Sequence, residues 1–327
     1  MRERSQRRGT PTSGEAELCV FGVGGVGGYF GGKIACRLNA PDSPAWRVRF
    51  VARGANLTAI KRSGLRLETR GARLTCAPAS VAADMRDLPV PDVVLVCVKS
   101  YSLDAALEQI SAHRREDTVV VPLLNGVDIP ARIRAHLPSG PVLPACALVG
   151  THLERPGVVA QAGGDGVILL GSDPDHPDLV PESFLSLLTA AGVPYRWFDD
   201  PRPAVWEKYL FIAAFGLVTA ASGKSGGEVL ADPVLLEEAR GIMEEVASLA
   251  AREGVALGPG AIPDALAKAQ GFPFATRTSL QRDVESGRRD EGDLFGGTIL
   301  RLGRRHGVST AVTERVYAHM LARRGSG

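Results

Sequence analysis

Lys208 is the residue whose surroundings most clearly predict chemistry. It stands near the start of a helix-like run in which the next residues, 209–215, are almost all apolar. If its ammonium group faces a cleft, burial and neighbouring cations lower its pKa, and the lysine can serve as a general acid. A lysine at the end of an apolar helix can also extend its charge into water. The residues alone leave both interpretations open.

A charged stretch near the C-terminus supplies the second candidate. The run 278–283 contains Ser279 and is followed by a second polar run, 288–293, which contains Glu291 and Asp293. Both carboxylates precede an apolar helix, so they can cap its start, and either can also be a catalytic carboxylate. Charge runs most often form a solvated surface, which stays the alternative here.

Two further polar residues stand where buried strands end. The runs 92–98 and 118–124 are almost continuously apolar, which is typical of parallel strands buried on both faces. Lys99 follows the first run and Asn125 follows the second. Because ligands of open α/β sheets bind outside the carboxyl ends of the strands, we expect both residues at the functional edge.

These side chains need a cofactor to act with, and the pattern of residues 18–35 predicts a bound dinucleotide. An apolar strand leads into a glycine turn and then into a helix. In the turn Gly22 permits the bend, Gly24 lets backbone approach a pyrophosphate, and Gly27 permits close packing of helix on strand. The N–H groups at the helix start then bind the phosphates. The predicted cofactor-binding turn comprises Gly22, Val23, Gly24, Gly25, Val26 and Gly27.

The end of the second strand predicts which dinucleotide binds. An acidic residue there would bind the free 2′-hydroxyl of NAD. Between Phe50 and Leu67 the chain has no acidic residue, and Arg53 stands at the strand end instead. A basic residue at this place favours a 2′-phosphate, so we predict NADP (NADPH). A solvated surface arginine is the alternative.

Composition excludes several classes of protein. The chain has 327 residues, a formal net charge of +2 and 45% hydrophobic residues, which is ordinary for a soluble globular protein. That charge argues against a nucleic-acid or membrane-surface binder. The five cysteines are widely spaced without a Cys-x-x-Cys pair, and we expect all of them to be reduced. The histidines show no metal-ligand spacing, and no metal is predicted.

The order of elements predicts the architecture. We expect a disordered, Arg-rich extension over 1–17, an NADP-binding domain over 18–200 and a helical substrate domain over 201–327. The fold class is α/β, a Rossmann-type doubly wound, mostly parallel sheet followed by an all-α domain. A hairpin is expected to turn at Gly163–Asp165. The apolar run 209–221 is too short to span a bilayer, so a cytoplasmic location is expected.

Together these motifs resemble the ketopantoate reductase (2-dehydropantoate 2-reductase) family over nearly the whole chain after residue 17. The glycine turn alone is common to many dehydrogenases, whereas the ordered set of later residues is specific. The matching pieces are Gly22–Gly27, Arg53, Val98–Ser100, Leu124–Gly126, Trp206–Lys208, Gly227–Leu230, Ser279–Asp283 and Glu291.

The resemblance implies a role for each residue. Lys208 is the general acid that protonates the carbonyl oxygen as hydride arrives from NADPH, and Glu291 holds the substrate hydroxyl or assists the lysine. Ser279 binds the substrate carboxylate. Lys99 and Asn125 position the nicotinamide, the ribose and the substrate. The expected partner is a small-molecule 2-oxo acid, and the oligomeric state stays open, with a homodimer as one alternative.

The chain departs from the family at three places. Members active on ketopantoate carry asparagines where this chain has Ile212, Gly216 and Gly226. Each unmatched polar group of the substrate costs roughly 1–3 kcal/mol. The same chemistry on a less polar oxo or imino acid is therefore the first alternative. A non-catalytic NADP(H) sensor and a hydroxyacid dehydrogenase of a neighbouring Rossmann-plus-helices type are the others.

Overall fold

The computed structural model describes residues 14–324. Most of the predicted N-terminal extension lies outside the described residues, and its last part differs from the prediction. Ala16 and Glu17 already belong to the first strand, which runs Ala16–Phe21. The Glu17 carboxylate accepts two hydrogen bonds from the guanidinium of Arg49 on the neighbouring strand, at 2.7 and 2.8 Å. This ion pair explains why the ordered strand begins at charged residues.

The first part of the described chain alternates strands and helices. Its strands are β1 (Ala16–Phe21), β2 (Trp46–Val51), β3 (Leu65–Glu68), β4 (Arg73–Cys76), β5 (Ser80–Ala82), β6 (Val93–Val96), β7 (Val119–Pro122), β8 (Ala145–Arg155), β9 (Val158–Gly171) and β10 (Tyr195–Phe198). Its helices are α1 (Gly25–Leu38), α2 (Gly54–Ser63), α3 (Leu103–Ala112), α4 (Ile129–His136) and α5 (Glu182–Ala190).

Five of these strands form a parallel sheet in the order β5-β2-β1-β6-β7. Numbered within this sheet alone, the order is 3-2-1-4-5, which is the doubly wound arrangement of dinucleotide-binding folds. The central strands are apolar on both faces: Leu18, Val20, Leu95 and Val96 are each 0% exposed. The predicted fold class is confirmed.

A second sheet corrects the predicted hairpin. Its order is β10-β9-β3-β4, and β8 pairs with β9. The chain turns at Pro156–Gly157, and β9 continues through the glycines that were expected to form the turn. Gly164 and Gly166 have φ of +73° and +72°, and the β8–β9 register shifts beside Gly163. The glycines therefore mark an irregular place within a long strand.

The prediction that all five cysteines are reduced is wrong for two of them. Cys36 of α1 and Cys76 of β4 form a disulfide, with their Cα atoms 4.7 Å apart. The disulfide links α1, the helix that follows β1, to β4 at the edge of the second sheet. Cys19, Cys97 and Cys146 are free thiols. Burial, the largest effect, raises the pKa of Cys19 to about 12, so its thiol stays protonated.

The remaining described residues are helical. The helices are α6 (Arg202–Ser222), α7 (Gly226–Ala231), α8 (Pro233–Arg252), α9 (Ala261–Gln270), α10 (Ser279–Glu285), α11 (Thr298–His306) and α12 (Ala311–Arg323). A π-helical turn, Asp293–Gly297, precedes α11. The sequence predicts one continuous helix over 290–306, and the π-turn interrupts it where Gly297 allows Asp293 to pack closely.

Helix α6 is the core of this helical part. By length and composition it is long and apolar enough to cross a membrane. However, 67% of its apolar 18-residue stretch is buried inside the protein, as expected for a core helix. Tyr209 is fully buried in it, and its hydroxyl donates to the carbonyl oxygens of Leu294 and Phe295, each 2.9 Å away. These carbonyls belong to the π-turn, so the hydroxyl links α6 directly to it.

The chain forms two compact units. The first comprises the residues up to Val98, Leu103–Leu123 and Ile133–Arg196. The second comprises Lys99–Ser102, Leu124–Arg132 and the described residues from Trp197 onward. Two short segments from the N-terminal half thus belong to the helical unit, which differs from a single boundary at residue 200. Sequence order cannot show this, because both segments directly follow strands of the first unit.

Candidate active site

The glycine turn of the first unit has the geometry that close packing demands. Gly22 has φ of +97°, and a Cβ there would lie 2.8 Å from the side chain of Val98. A Cβ on Gly27 would lie 2.2 Å from the carbonyl oxygen of Gly22. Both positions therefore need glycine for steric reasons, and both fix the approach of α1 to β1.

The start of α1 can hold the phosphates of a dinucleotide. Its N-cap is Gly24, and no side chain caps the first turn. A Cβ added to Gly24 would meet nothing within 4 Å, so this face of the turn is open. Unbonded N–H groups at a helix N-terminus attract anions. The residues present therefore fit a pyrophosphate, held by the backbone from Val23 to Val26.

Arg53 stands at the place that the sequence predicts, directly after the second strand. It is the N-cap of α2 and is exposed. The pKa of nearby Asp84 is lowered to about 2, chiefly by hydrogen bonds from Arg86, with a smaller contribution from the charge of Arg53. Arg53 thus presents its guanidinium at the surface of the first unit, with one carboxylate in electrostatic range.

Lys208 and Asn125 lie together in the second unit. Lys208 Nζ donates to Asn125 Oδ1 at 2.7 Å, although the residues are 83 positions apart. Both are half-buried. The next residue, Gly126, has φ of +116°, and a Cβ there would lie 2.6 Å from Leu294. The Asn125 segment is therefore packed against the π-turn, which fixes the amide that orients the lysine.

Lys99 and Glu291 form a second pair within the same unit. Lys99 Nζ donates to Glu291 Oε2 at 2.8 Å and to Asp283 Oδ2 at 3.3 Å. The backbone N–H of Ser100 donates to Glu291 Oε1 at 3.0 Å. Both oxygens of this buried carboxylate are thus engaged. The sequence allows Glu291 to cap the helix that follows it, whereas the structure uses its side chain to cap the turn at Ser100–Ser102.

The charge of Lys99 is held by these contacts. Partial burial lowers its pKa, but the charges and hydrogen bonds of Glu291 and Asp283 together outweigh burial, and the pKa lies above its ordinary value. Lys99 is therefore a permanent cation at neutral pH. It is unsuited to releasing a proton, and its charge is already balanced by Glu291 and Asp283.

Ser279 is the one predicted site residue of this unit that stands apart from these pairs. It is the first residue of α10 and is exposed. The helix is fixed by Thr278, whose hydroxyl accepts from the Gln281 N–H at 3.2 Å and lies 2.8 Å from the hydroxyl of Thr219. The position of Ser279 is therefore well determined, although its own side chain faces solvent.

Two further carboxylates of this unit, Asp283 and Asp128, are assigned no role from the sequence, although Asp283 ends one of the pieces that match the family. Asp283 binds both Lys99 and Arg288, the latter at 3.2 Å. Asp128 accepts from Thr298 at 3.3 Å, and its buried Oδ1 has no hydrogen-bond partner. Burial is the largest influence on Asp128 and raises its pKa above the ordinary value. Among residues 14–324, no cluster of three or more His, Cys, Asp or Glu could hold a metal ion.

Comparisons with known proteins identify the family. A family model described as "Ketopantoate reductase PanE/ApbA" matches residues 18–175, and the model of its C-terminal part matches 200–324. The chain belongs to the ketopantoate reductase family, which confirms the resemblance. It is an oxidoreductase acting on CH–OH groups, of the 2-dehydropantoate 2-reductase type.

Individual relatives are distant but similar over their full length. A 2-dehydropantoate 2-reductase of Mesorhizobium japonicum is 28% identical, with 92% of this chain and 96% of the relative covered. The crystal structure of a PanE/ApbA family ketopantoate reductase from Ralstonia eutropha JMP134 superimposes with a TM-score of 0.84 at 26% identity, covering 95% and 99%. A D-mandelate dehydrogenase with NADH and anilino(oxo)acetate shares the fold, with a TM-score of 0.82 at 20% identity, covering 95% and 99%.

Proposed function

We propose that this chain reduces a 2-oxo acid with NADPH, nominally 2-dehydropantoate to pantoate. The observation that supports this best is the hydrogen bond that holds the Lys208 ammonium on Asn125 at 2.7 Å. A lysine in this setting has a fixed position and a charged group ready to meet a carbonyl oxygen. Electrostatic stabilisation from such a preorganised group is usually the largest contribution to catalysis.

The proposed reaction needs one hydride, from the nucleotide, and one proton, from Lys208. NADPH, when bound, supplies the hydride that adds to the carbonyl carbon of the oxo acid. As the carbon–oxygen π bond breaks, negative charge collects on the oxygen, and the ammonium of Lys208 donates a proton to it. The products are a 2-hydroxy acid and NADP⁺, and the neutral amine of Lys208 regains its proton from water. The ammonium stabilises the transition state more than the neutral carbonyl.

Glu291 receives a different role from the one that the resemblance implies. Its oxygens accept from Lys99 Nζ and from the Ser100 N–H, and only 8% of its side chain is exposed, which leaves little of it open to a substrate. We assign it to positioning Lys99 instead of holding the substrate hydroxyl. Lys99, whose ammonium has three N–H groups and uses two of them on Asp283 and Glu291, is then a hydrogen-bond donor for the substrate or the nucleotide. Ser279 is assigned to the substrate carboxylate.

The preference for NADPH rests on Arg53 and has its own test. Initial rates with NADPH and NADH are compared in the wild type, in Arg53→Ala and in Arg62→Ala, an exposed arginine at the far end of α2. The Arg53 variant is expected to lose at least tenfold in kcat/KM for NADPH and little for NADH, because only NADPH carries the 2′-phosphate. A wild type that prefers NADH would contradict the assignment.

The reaction itself is tested by identifying the product. Purified protein is incubated with NADPH and either 2-dehydropantoate or a panel of bulkier 2-oxo acids, and the 2-hydroxy acid is measured by chromatography against authentic standards. Stoichiometric formation of NADP⁺ and one hydroxy acid is expected. If none of the acids yields a hydroxy acid while the protein still binds the nucleotide, the chain is not a 2-oxo acid reductase.

The cytoplasm is the proposed compartment, because a reductase requires a supply of reduced nucleotide. The Cys36–Cys76 disulfide is unusual for a reducing compartment. Alkylation of free thiols at the moment of cell lysis, followed by mass spectrometry, shows whether these two cysteines are paired in the cell.

A further inference from the structure

We propose that the side chain of the physiological 2-oxo acid is an aromatic ring, and that Ile212 and the loop 272–276 receive it. This inference rests on the proposed function, since it takes Lys208 as the place where the carbonyl is reduced. It names the substrate class of that same site.

The helix that carries Lys208 presents an apolar face beside it. Residues three and four positions apart on a helix are neighbours, so Phe211 and Ile212 adjoin Lys208. Ile212 is half-buried. One turn further on, a Cβ added to Gly216 would lie 3.7–3.8 Å from the side chains of Leu280 and Phe295. Positions 212 and 216 therefore offer no side-chain hydrogen bond beside the lysine, and position 216 is surrounded by buried hydrocarbon.

The loop after α9 adds two exposed aromatic rings to this face. Phe272 is 44% exposed and Phe274 is 63% exposed, and they are the two phenylalanines among the exposed large hydrophobic residues that the structure describes. The ring of Phe272 stacks on that of Phe211, with centroids 5.9 Å apart and planes 13° from parallel. Phe272 is thus joined through Phe211 to α6, one turn from Lys208, and Phe274 lies two residues further along the same loop.

These rings are held in place although they are exposed. The N–H groups of Gly226 and Gly227 donate to the carbonyl oxygens of Thr276 and Phe274, at 2.8 and 3.0 Å. The Phe274 ring lies against Gly227, where a Cβ would come within 2.4 Å of it. A ligand that stacks on a preformed ring loses less conformational entropy than one that must order a mobile loop.

The size of the patch favours a small ligand over a protein partner. A phenylalanine buries on the order of 150–250 Å² when covered, so the exposed fractions of Phe272 and Phe274 amount to about 200 Å² together. A stable protein interface needs about 800 Å² on each partner. The patch matches one ring of a small molecule. In an aryl-substituted 2-oxo acid that ring is one or two bonds from the carbonyl carbon, which sets it beside Ile212 when the carbonyl oxygen meets Lys208.

The proposal is tested by kcat/KM for phenylpyruvate and for 2-dehydropantoate, measured on the full chain with saturating NADPH. We expect phenylpyruvate to exceed 2-dehydropantoate by at least tenfold. Ile212→Asn is expected to reverse this order, because it restores an amide next to Lys208. Phe272→Ala is expected to raise KM for phenylpyruvate about tenfold and to leave KM for 2-dehydropantoate within threefold of the wild type. Val234 is an exposed residue of α8, and Val234→Ala is expected to change neither KM.

Two glycine variants form a matched pair that needs no change to the rings. Gly227→Ala displaces Phe274, whereas Gly226→Ala meets only the Thr276 carbonyl oxygen at 3.5 Å, an ordinary contact. Only Gly227→Ala is expected to weaken the binding of phenylpyruvate, with a rise in KM of roughly tenfold. Circular dichroism confirms that both variants fold. If the Gly227 variant does not fold, Phe274→Leu replaces it, with the same expected loss.

The outcomes separate this inference from the proposed function. Turnover of 2-dehydropantoate equal to or faster than that of phenylpyruvate overturns the inference and leaves the proposed function standing. An unchanged phenylpyruvate KM in Phe272→Ala together with Phe274→Leu also overturns it. Failure to reduce any 2-oxo acid overturns the proposed function, and the inference with it.

Discussion

The contact between Glu291 and Lys99 gives a prediction whose size follows from the structure. Replacement of Glu291 by Gln keeps one acceptor oxygen but removes the charge, so its amide group must face either the Lys99 ammonium or the Ser100 N–H, both of which are donors. A hydrogen bond to a charged group contributes roughly 1.5–3 kcal/mol. Because the Lys99 side chain is 42% exposed and keeps Asp283 as a partner, solvent screening places the expected loss near the lower end, about 2 kcal/mol.

The assay is urea unfolding of the wild type and the Glu291→Gln variant at constant salt. Glu237→Gln is the control, since Glu237 is an exposed carboxylate of α8 paired with Arg240 at 3.8 Å, and its loss is expected to cost under about 1 kcal/mol. Because the pKa of Lys99 is higher in the folded than in the unfolded protein, its charge stabilises the fold. This stabilisation is fully present below the unfolded pKa of about 10.4 and is lost as pH rises through the folded pKa. The deficit of the variant is therefore constant from pH 7 to 9 and shrinks only above about pH 10.4, as Lys99 loses its proton. Equal losses in the two variants would refute the reasoning.

Three further predictions follow from other contacts. Gly27→Ala, whose Cβ would lie 2.2 Å from a backbone oxygen, lowers the melting temperature sharply, whereas Gly24→Ala, with nothing within 4 Å, leaves it unchanged and weakens nucleotide binding measured by calorimetry. Asp128→Asn stabilises the protein more at pH 7.5 than at pH 4.5 in thermal unfolding, because the raised pKa of this buried carboxyl makes its ionised form destabilising as pH rises; a pH-independent difference would contradict this. Cys36→Ser opens the disulfide to Cys76, 40 residues away, and costs about 4 kcal/mol by the chain-entropy estimate, measured by denaturant unfolding with the reduced wild type as control.

The sequence predicts the residues whose local pattern is strong. The continuous apolar runs that end before Lys99 and Asn125 predict two neighbouring strands of the parallel sheet, and the structure has β6 and β7 there. The apolar run after Lys208 likewise predicts the core helix α6. In each case the apolar run in the sequence and the burial in the structure indicate the same element, and such agreement allows an element to be predicted from sequence.

The remaining features depend on contacts between distant residues. The strands β3 and β4 mix apolar with polar residues over four positions each, so neither forms a continuous apolar run as β6 and β7 do. The pairing of Cys36 with Cys76 follows from how α1 packs on them. The Glu291 carboxylate caps a turn 191 residues earlier in the chain. No local pattern encodes such a contact, because its partner is brought near only by the complete fold.

The most direct test of the central claim is the effect of Lys208→Met on reduction of a 2-oxo acid by NADPH. Methionine keeps the length and the apolar stem but cannot donate a proton. The account predicts that kcat falls by about 10²–10⁴-fold, while the dissociation constant of NADPH stays within a factor of three. A variant that retains wild-type kcat would contradict the role of Lys208 as the general acid.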